Sequence, residues 1–405
     1  MLTTGLRKFK GLVRHVRTLE AGPLEETERD FLPPNVMYEA LIERGVDFFT
    51  GVPDSLLKDF CAYVSDNHPS EKNIIAANEG TALATAAGYH LATRRYPLVY
   101  LQNSGLGNII NPLLSLVDPR VFNIPMLLMI GWRGEPGKKD EPQHMVQGKV
   151  MTSLLTDMGV TYEVLPDYEE GAIAALDLAM HRLRTIGSPF AFLVRRQCFL
   201  KYNIKNPVTH DFPHSREQAI EALVKKLGKY DVVVATTGFA SRELYEMRLR
   251  QGQSTQQDFY CVGSMGHASS IAMGIALAKP SRNVFCFDGD GGFIMHMGAA
   301  AQIGARDIPN LKHIVFNNGS HDSVGGQPTD GMTADFLQIA RSCGYKFVQS
   351  AATTEEINKG FDALNSSVGP GFLEIKVKRK TRKDLGRPKS SPKDNKELFM
   401  KFLEQ

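Results

Sequence analysis

Nothing in this 405-residue chain comes near the roughly 18 consecutive apolar residues that a membrane-spanning helix needs, so no transmembrane segment is expected. Cysteine is scarce as well: there are five, Cys61, Cys198, Cys261, Cys286 and Cys343, with no CxxC pair and an odd total. That pattern excludes a disulfide scaffold and a zinc ribbon, and it fits reduced thiols in an intracellular, soluble protein. Acid is absent from residues 1–19, which carry Arg7, Lys8, Lys10, Arg14 and Arg17. Acid is nearly absent again from Lys376 to Lys389, where eight basic residues meet only Asp384. The formal charge of +3 therefore sits in the two ends, and the body between them is acidic. Basic tails of this kind form solvated surfaces, and no nucleic-acid partner is expected.

What is present is ordinary globular material, 42% hydrophobic and 22% charged, in a length that suits two domains. One stretch organises it, Val284 to Ser320. The apolar run Val284 to Phe287 reads as a buried parallel strand, broken by Asp288-Gly289-Asp290-Gly291-Gly292. A helix-length segment follows, then a second apolar strand, His313 to Phe316, ending on Asn317-Asn318. This βαβ unit sets both polar ends at the carboxyl edge of a sheet, where open α/β sheets bind ligands. The residue types suit a diphosphate held through Mg²⁺, which prefers hard oxygen ligands. Asp290 supplies a carboxylate, Asn318 an amide oxygen and Ser320 a carbonyl. Gly289, Gly291 and Gly292 leave backbone N–H groups open to phosphate. An isolated Gly-Asp-Gly is also what a helix N-cap looks like; the Asn-Asn pair on the next strand favours the metal.

The remainder alternates strand and helix and predicts an α/β protein, two mostly parallel sheets covered by helices. Residues 1–34 read as an N-terminal extension. Leu2, Leu6, Phe9, Val13 and Val16 recur there at helical spacing, as in a mitochondrial targeting peptide, so the compartment is cytoplasmic or mitochondrial. Residues 35–200 form a first domain, with strands over Asp47–Thr50, 74–77, Leu98–Gln102, Met126–Ile130, Thr161–Val164 and Ala191–Val194. The polar, proline-punctuated span 201–214 is a linker. Residues 215–405 form a second domain, with strands over Asp231–Thr236 and Phe259–Val262, the two of the βαβ unit, and Phe372–Val377. Glu79 stands at a strand end before an alanine-rich helix; it suits a first-turn acid, favoured by the helix dipole, or a desolvated acid/base group.

With Glu79 and the Asp290 to Asn318 motif together, residues 36–390 resemble the two-domain thiamine-diphosphate decarboxylases, with no middle domain between the halves. The resemblance implies that Glu79 protonates the cofactor's aminopyrimidine, and that Asp290, Asn318 and Ser320 bind Mg²⁺. It implies that the Gly263 carbonyl and the Met265 N–H hold the pyrimidine, with Met265 as a wedge, and that Thr237 and Gly238 touch the diphosphate. It also implies a homodimer or higher homo-oligomer, with Glu79 facing the diphosphate domain of another subunit. A finer match rests on Gly51-Val52-Pro53-Asp54-Ser55-Leu56-Leu57, Gln102 to Asn108, Asn317 to Thr329 and Arg382 to Pro388. These segments are similar to those of the phosphonopyruvate decarboxylases, and some are shared by the sulfopyruvate decarboxylases. The implied reaction takes 3-phosphonopyruvate to 2-phosphonoacetaldehyde and CO₂ in phosphonate biosynthesis. Sulfopyruvate decarboxylation, or carboligation of another 2-oxo acid, is the alternative. Asp54, His144 and His321 are candidates for proton transfer. Ser55, Asn103, Ser104 and Gln327 are candidate donors to the substrate. Arg382 and Arg387, after the last strand, are candidates for the phosphonate, since an arginine fork fits it in two-point contact.

Overall fold

Twelve short runs rich in valine, isoleucine, leucine and phenylalanine close into two sheets of six parallel strands each. In this computed structural model the described residues are 31–207 and 209–405; the amphipathic segment expected as a targeting peptide lies outside them. The first sheet holds β1 (Phe49–Gly51), β2 (Asn73–Ile75), β3 (Leu98–Gln102), β4 (Leu127–Gly131), β5 (Thr161–Val164) and β6 (Phe190–Val194). The second holds β7 (Val232–Ala235), β8 (Asp258–Tyr260), β9 (Val284–Gly289), β10 (Leu311–Asn317), β11 (Phe347–Ala351) and β12 (Gly371–Lys376). Strand order is β2-β1-β3-β4-β6-β5 in the first and β11-β12-β10-β9-β7-β8 in the second. Read from the opposite edge, the second order repeats the first strand for strand. Each sheet reverses direction of growth beside its first strand, at β1/β3 and at β7/β9, the position where such sheets bind ligands.

Each sheet is covered on both faces, which is why its central strands are apolar throughout rather than alternating. In the first sheet Phe49, Phe60, Met129 and Phe192 pack on one side. Val99, Leu128, Ile130 and Leu193 pack on the other. The second sheet buries Phe285, Phe287, Phe316 and Leu373 on one face, and Val234, Cys286, Val315 and Phe372 on the other. A fully buried side chain of this size contributes about 1.5–3 kcal/mol, so four such layers carry the fold.

Two local features depart from the sequence reading. The segment between β9 and β10 is not one helix but two, Asp290–Met295 and Gly298–Gly304, because His296 leaves helical geometry at φ −132° and ψ 47°. Strand β11 was not expected at all; its sequence FVQSA is mostly half-buried, as befits the edge of the sheet. The span 201–214 is tied at both ends. Tyr202 and Lys205 donate backbone N–H groups to Asp59 and Asp66, and the His214 carbonyl accepts from Lys378. Among the described residues no helix is long and apolar enough to cross a membrane.

Candidate active site

The carboxyl edges of both sheets open onto one cleft of about 1100 Å³. From the first sheet it takes Ser55 after β1, Glu79 after β2, Ser104 after β3, Arg133 after β4 and Arg196 after β6. From the second it takes Thr237 and Gly238 after β7, Gly263 and Met265 after β8, His296 after β9 and His321 after β10. Among the described residues two polar contacts cross it: Asn78 Nδ2 donates to the Met295 carbonyl at 3.2 Å, and Arg387 pairs with Glu141. A single chain thus brings Glu79 and the Gly263-Ser264-Met265 turn into one cavity, whereas the resemblance implied that Glu79 faces the diphosphate domain of another subunit.

Glu79 opens the helix Glu79–Thr93, which Asn78 caps by accepting from the Thr81 N–H at 2.9 Å. Its side chain is 5% exposed. Oε2 accepts from Asn108 Nδ2 at 2.6 Å, and the carboxylate packs on Gly105, where any Cβ would run into Oε1. Asn103, two residues before that glycine, is buried and does not line the cleft. It donates to the Arg133 carbonyl at 2.7 Å and accepts from the Arg133 N–H at 3.2 Å, so its amide locks two loops instead of facing a substrate. Ser104 does face the cleft, with its hydroxyl donating to Gln102 Oε1 at 2.7 Å. Asp54 sits behind the wall; it accepts from the Leu56 N–H at 2.9 Å and from Gln102, and burial pushes its carboxyl above the usual range. His144 lines the cavity with Nδ1 unpartnered. Burial, then the Arg133 charge, pushes it down to about 4.

On the opposite wall Gly238 turns the chain after β7 at φ 92°, a conformation that suits glycine. Ser264 adopts φ 53° between Gly263 and Met265, and both neighbours reach the cleft. The glycine turn itself lies beneath the surface: His321 Cε1 stands 2.9 Å and Met265 Cε 3.2 Å from where a Cβ on Gly291 would be. Asp290 is 3% exposed, accepts a hydrogen bond from Thr329, and is pushed up to about 6 by burial. Asn317 and Asn318 divide their work. Asn317 donates to the Gly331 carbonyl at 2.6 Å and to Glu374 at 2.8 Å, a purely internal role. Asn318 Oδ1 accepts from the Ser320 N–H at 3.0 Å, and Nδ2 donates to Asp322 at 2.9 Å. A bridge between Ser320 and Pro328 folds this loop back, and that delivers Thr329 to Asp290. The Ser320 hydroxyl is buried without a partner. Gln327 is fully buried, has neither amide atom paired, and does not line the cleft. His321 faces the cavity, pushed down to about 4 by burial.

The basic segment after β12 splits in two. Arg382 turns away from the cleft and pairs with Glu217 at 2.9 Å, with Asp384 at 2.9 Å and with Glu246. Three carboxylates hold it outside the site, which corrects its reading as a phosphonate ligand. Arg387 does line the cleft. Arg133, Asp140, Arg196 and Thr329 were missed. Arg133 and Arg196 could have been found by the rule that singled out Asn103, since each follows a recognisable strand directly.

Residues 34–155 match the family described as thiamine pyrophosphate enzyme, N-terminal TPP binding domain. Residues 236–375 match its counterpart, thiamine pyrophosphate enzyme, C-terminal TPP binding domain. The chain is 33% identical over 378 residues to a phosphonopyruvate decarboxylase of Streptomyces viridochromogenes, covering 89% of this chain and 92% of that protein. A phosphonopyruvate decarboxylase of Streptomyces hygroscopicus is 32% identical, with 90% and 92% covered. A sulfopyruvate decarboxylase of Methanosarcina acetivorans is 27% identical, with 85% and 91% covered. With both binding domains present in order and two such relatives aligned nearly end to end, the chain belongs to the phosphonopyruvate decarboxylase family of thiamine pyrophosphate enzymes.

Proposed function

We propose that this chain decarboxylates 3-phosphonopyruvate to 2-phosphonoacetaldehyde and CO₂, using thiamine diphosphate and Mg²⁺. The observation that carries the reading is the placement of buried Glu79 and the Gly263-Ser264-Met265 turn in one cleft, with Asp290 beneath its floor. The residues fit the cofactor's anchor. Asp290 makes no ion pair with any described residue and is pushed up to about 6 by burial, as suits a carboxylate placed for a cation. The Thr329 hydroxyl reaches it, and the loop that carries Thr329 also holds the Asn318 amide and the orphaned Ser320 hydroxyl, hard oxygens of the kind Mg²⁺ prefers. Gly289 faces open space, whereas Gly292 packs against Asp288 and Thr236. His321 covers Gly291 and must give way for a diphosphate to reach Asp290.

When bound, thiamine diphosphate supplies the electron sink that lets CO₂ leave a 2-oxo acid. Glu79 would hold a proton against the aminopyrimidine, with Asn108 fixing its carboxylate. The Gly263 carbonyl and Met265 N–H would orient that ring, and the Met265 side chain would set its angle. His144 and His321, both neutral near pH 7 by burial, would accept or relay protons rather than stand as charged acids. Ser55 and Ser104 offer hydroxyls from the first wall.

The test is CO₂ release from phosphonopyruvate, sulfopyruvate and pyruvate, side by side, with product analysis. Preference for phosphonopyruvate with free aldehyde is expected. Preference for sulfopyruvate, or a C–C coupled product, overturns the substrate or the reaction. The family resemblance also carries a homodimer or larger assembly; undiminished activity of a monomer at high dilution would set that part aside.

A further inference from the structure

We infer that Arg133 and Arg196 together form the subsite for the distal anion of the substrate, a dianionic phosphonate. This rests on the decarboxylase reading and assigns the residues that select its substrate. The argument starts from register. Strands β4 and β6 are neighbours with Gly131 opposite Val194, and the Trp132 N–H continues the ladder to the Val194 carbonyl at 2.8 Å. Arg133 and Arg196 each lie two positions beyond that pair, so adjacent strand ends deliver two guanidinium-bearing residues to one wall of the cleft.

The two cations are prepared differently. Arg133 is braced: Nε donates to Asp140 Oδ2 at 2.8 Å, Nη2 to Oδ1 at 2.5 Å, and Nη1 to Ser55 Oγ at 3.0 Å. Those bonds use three of the five N–H groups of a guanidinium and leave two for a ligand. Asp140 also accepts from the N–H groups of Gly134 at 2.9 Å and Glu141 at 2.8 Å, so Arg133 alone does not satisfy its charge. Arg196 is exposed and engages no carboxylate among the described residues. Gln197 turns the chain immediately after it at φ 60°.

Other cations in the cavity are committed or come from the opposite half. Arg387 pairs with Glu141. Arg242 donates to the carbonyls of Leu385 and Gly386. Lys389 belongs to the segment after β12. On the Arg133 side, His144 adds a buried ring whose Nδ1 has no partner. Held neutral by burial and by Arg133, it can donate its N–H to a phosphonate oxygen without adding charge.

Asn103 grips the Arg133 backbone while Gly105 packs on Glu79. Those two residues are at most about 7 Å apart along the chain. A three-residue turn, Asn103 to Gly105, therefore ties the Arg133 backbone to the Glu79 carboxylate, so the cationic wall and the cofactor's acid belong to one short stretch of the same cleft. A phosphonate dianion takes more from two guanidinium groups than a sulfonate monoanion does, so the pair favours the phosphonate.

The experiment uses the holoenzyme with Arg196→Met, Arg196→Lys and Arg133→Met. Arg196→Met is the primary variant, because an exposed, unpaired arginine is not needed for folding. It is expected to raise KM for phosphonopyruvate roughly 10- to 100-fold, the loss of a charge-assisted contact, with kcat changed only a few-fold and pyruvate turnover unchanged. Arg196→Lys recovers part of the loss. Phosphonoacetate binding, measured by calorimetry, should weaken by the same factor. If KM and phosphonoacetate affinity stay within twofold of the parent, the subsite is elsewhere. If the parent does not turn over phosphonopyruvate, the decarboxylase reading falls, and the calorimetry still decides whether Arg196 binds a phosphonate.

Discussion

The two sheets are wired identically and carry opposite chemistry at the same edge. After β1, β2, β4 and β6 the first half presents Ser55, Glu79, Arg133 and Arg196, polar or ionisable side chains that line the cleft. After β7 and β8 the second half presents Gly238 and Gly263, with Gly291 beneath the surface after β9, and here the backbone itself is the working surface. The contrast follows from what each wall would hold. A diphosphate and a metal need close backbone approach and a few hard oxygens, which glycine turns permit. A reacting pyrimidine and a small anionic acid need groups that donate, accept and move protons, which only side chains supply. Topology sets where the sites are; residue size at the strand ends sets what they can do.

The sharpest way to break this division is at Glu79. Glu79→Gln keeps shape and the bond to Asn108 in part, but cannot cycle a proton. Decarboxylation is expected to fall by roughly 10²–10⁴-fold, while thiamine diphosphate binding, followed by fluorescence quenching, stays close to the parent. Parent-like turnover with cofactor bound would mean that the first wall does not supply the proton.

On the second wall the prediction concerns pH. Burial raises Asp290 to about 6, so protonation of this carboxyl competes with Mg²⁺ below that value. Mg²⁺ affinity in the presence of thiamine diphosphate should be flat above pH 7 and fall about tenfold per pH unit below 6. The sign for stability is opposite in the metal-free protein. A carboxyl whose folded value is raised favours the fold when protonated, so metal-free stability declines as pH rises from about 4 to 6. Titration calorimetry from pH 5 to 8 checks the first statement; a flat affinity across pH 6 would remove Asp290 from the metal.

How far such contrasts can be read without coordinates depends on distance along the chain. Eleven of the twelve strands and the positions of Glu79, Asp290 and Asn318 at strand ends were legible, because each rests on a local apolar run and the residues that end it. Strand β11 escaped because an edge strand lacks the continuous apolar pattern. Asn103 and Arg382 were misread for another reason: their partners are remote. The amide of Asn103 is held by Arg133, 30 positions on. Arg382 is held by Glu217 and Glu246, 165 and 136 positions back. A strand-end rule locates the right edge, but it cannot tell a side chain that faces the cleft from one captured by a carboxylate on a neighbouring helix.

The smallest expected effect tests that last distinction, at the paired positions after β6 and β12. Both strands are followed by arginines, yet Arg196 faces the cleft while Arg379 and Arg382 after β12 serve the structure. Arg379 donates to Asp322 at 2.7 Å, and Asp322 in turn holds the Asn318 amide, so its charge steadies the Asn318 loop from behind. Arg382 is 27% exposed and fastens the segment to Glu217, Glu246 and Asp384. A partly exposed ion-pair network of this kind is worth about 1 kcal/mol, and a shift of that size lowers Tm by about 2–4 °C in a protein of 150–250 residues, with less expected in a larger one. Arg382→Ala should therefore lower Tm slightly and leave KM for phosphonopyruvate within twofold, whereas Arg196→Met does the reverse. A KM increase of fivefold or more for phosphonopyruvate but not pyruvate in Arg382→Ala would return the segment after β12 to the substrate, and the division between the two walls would fail there.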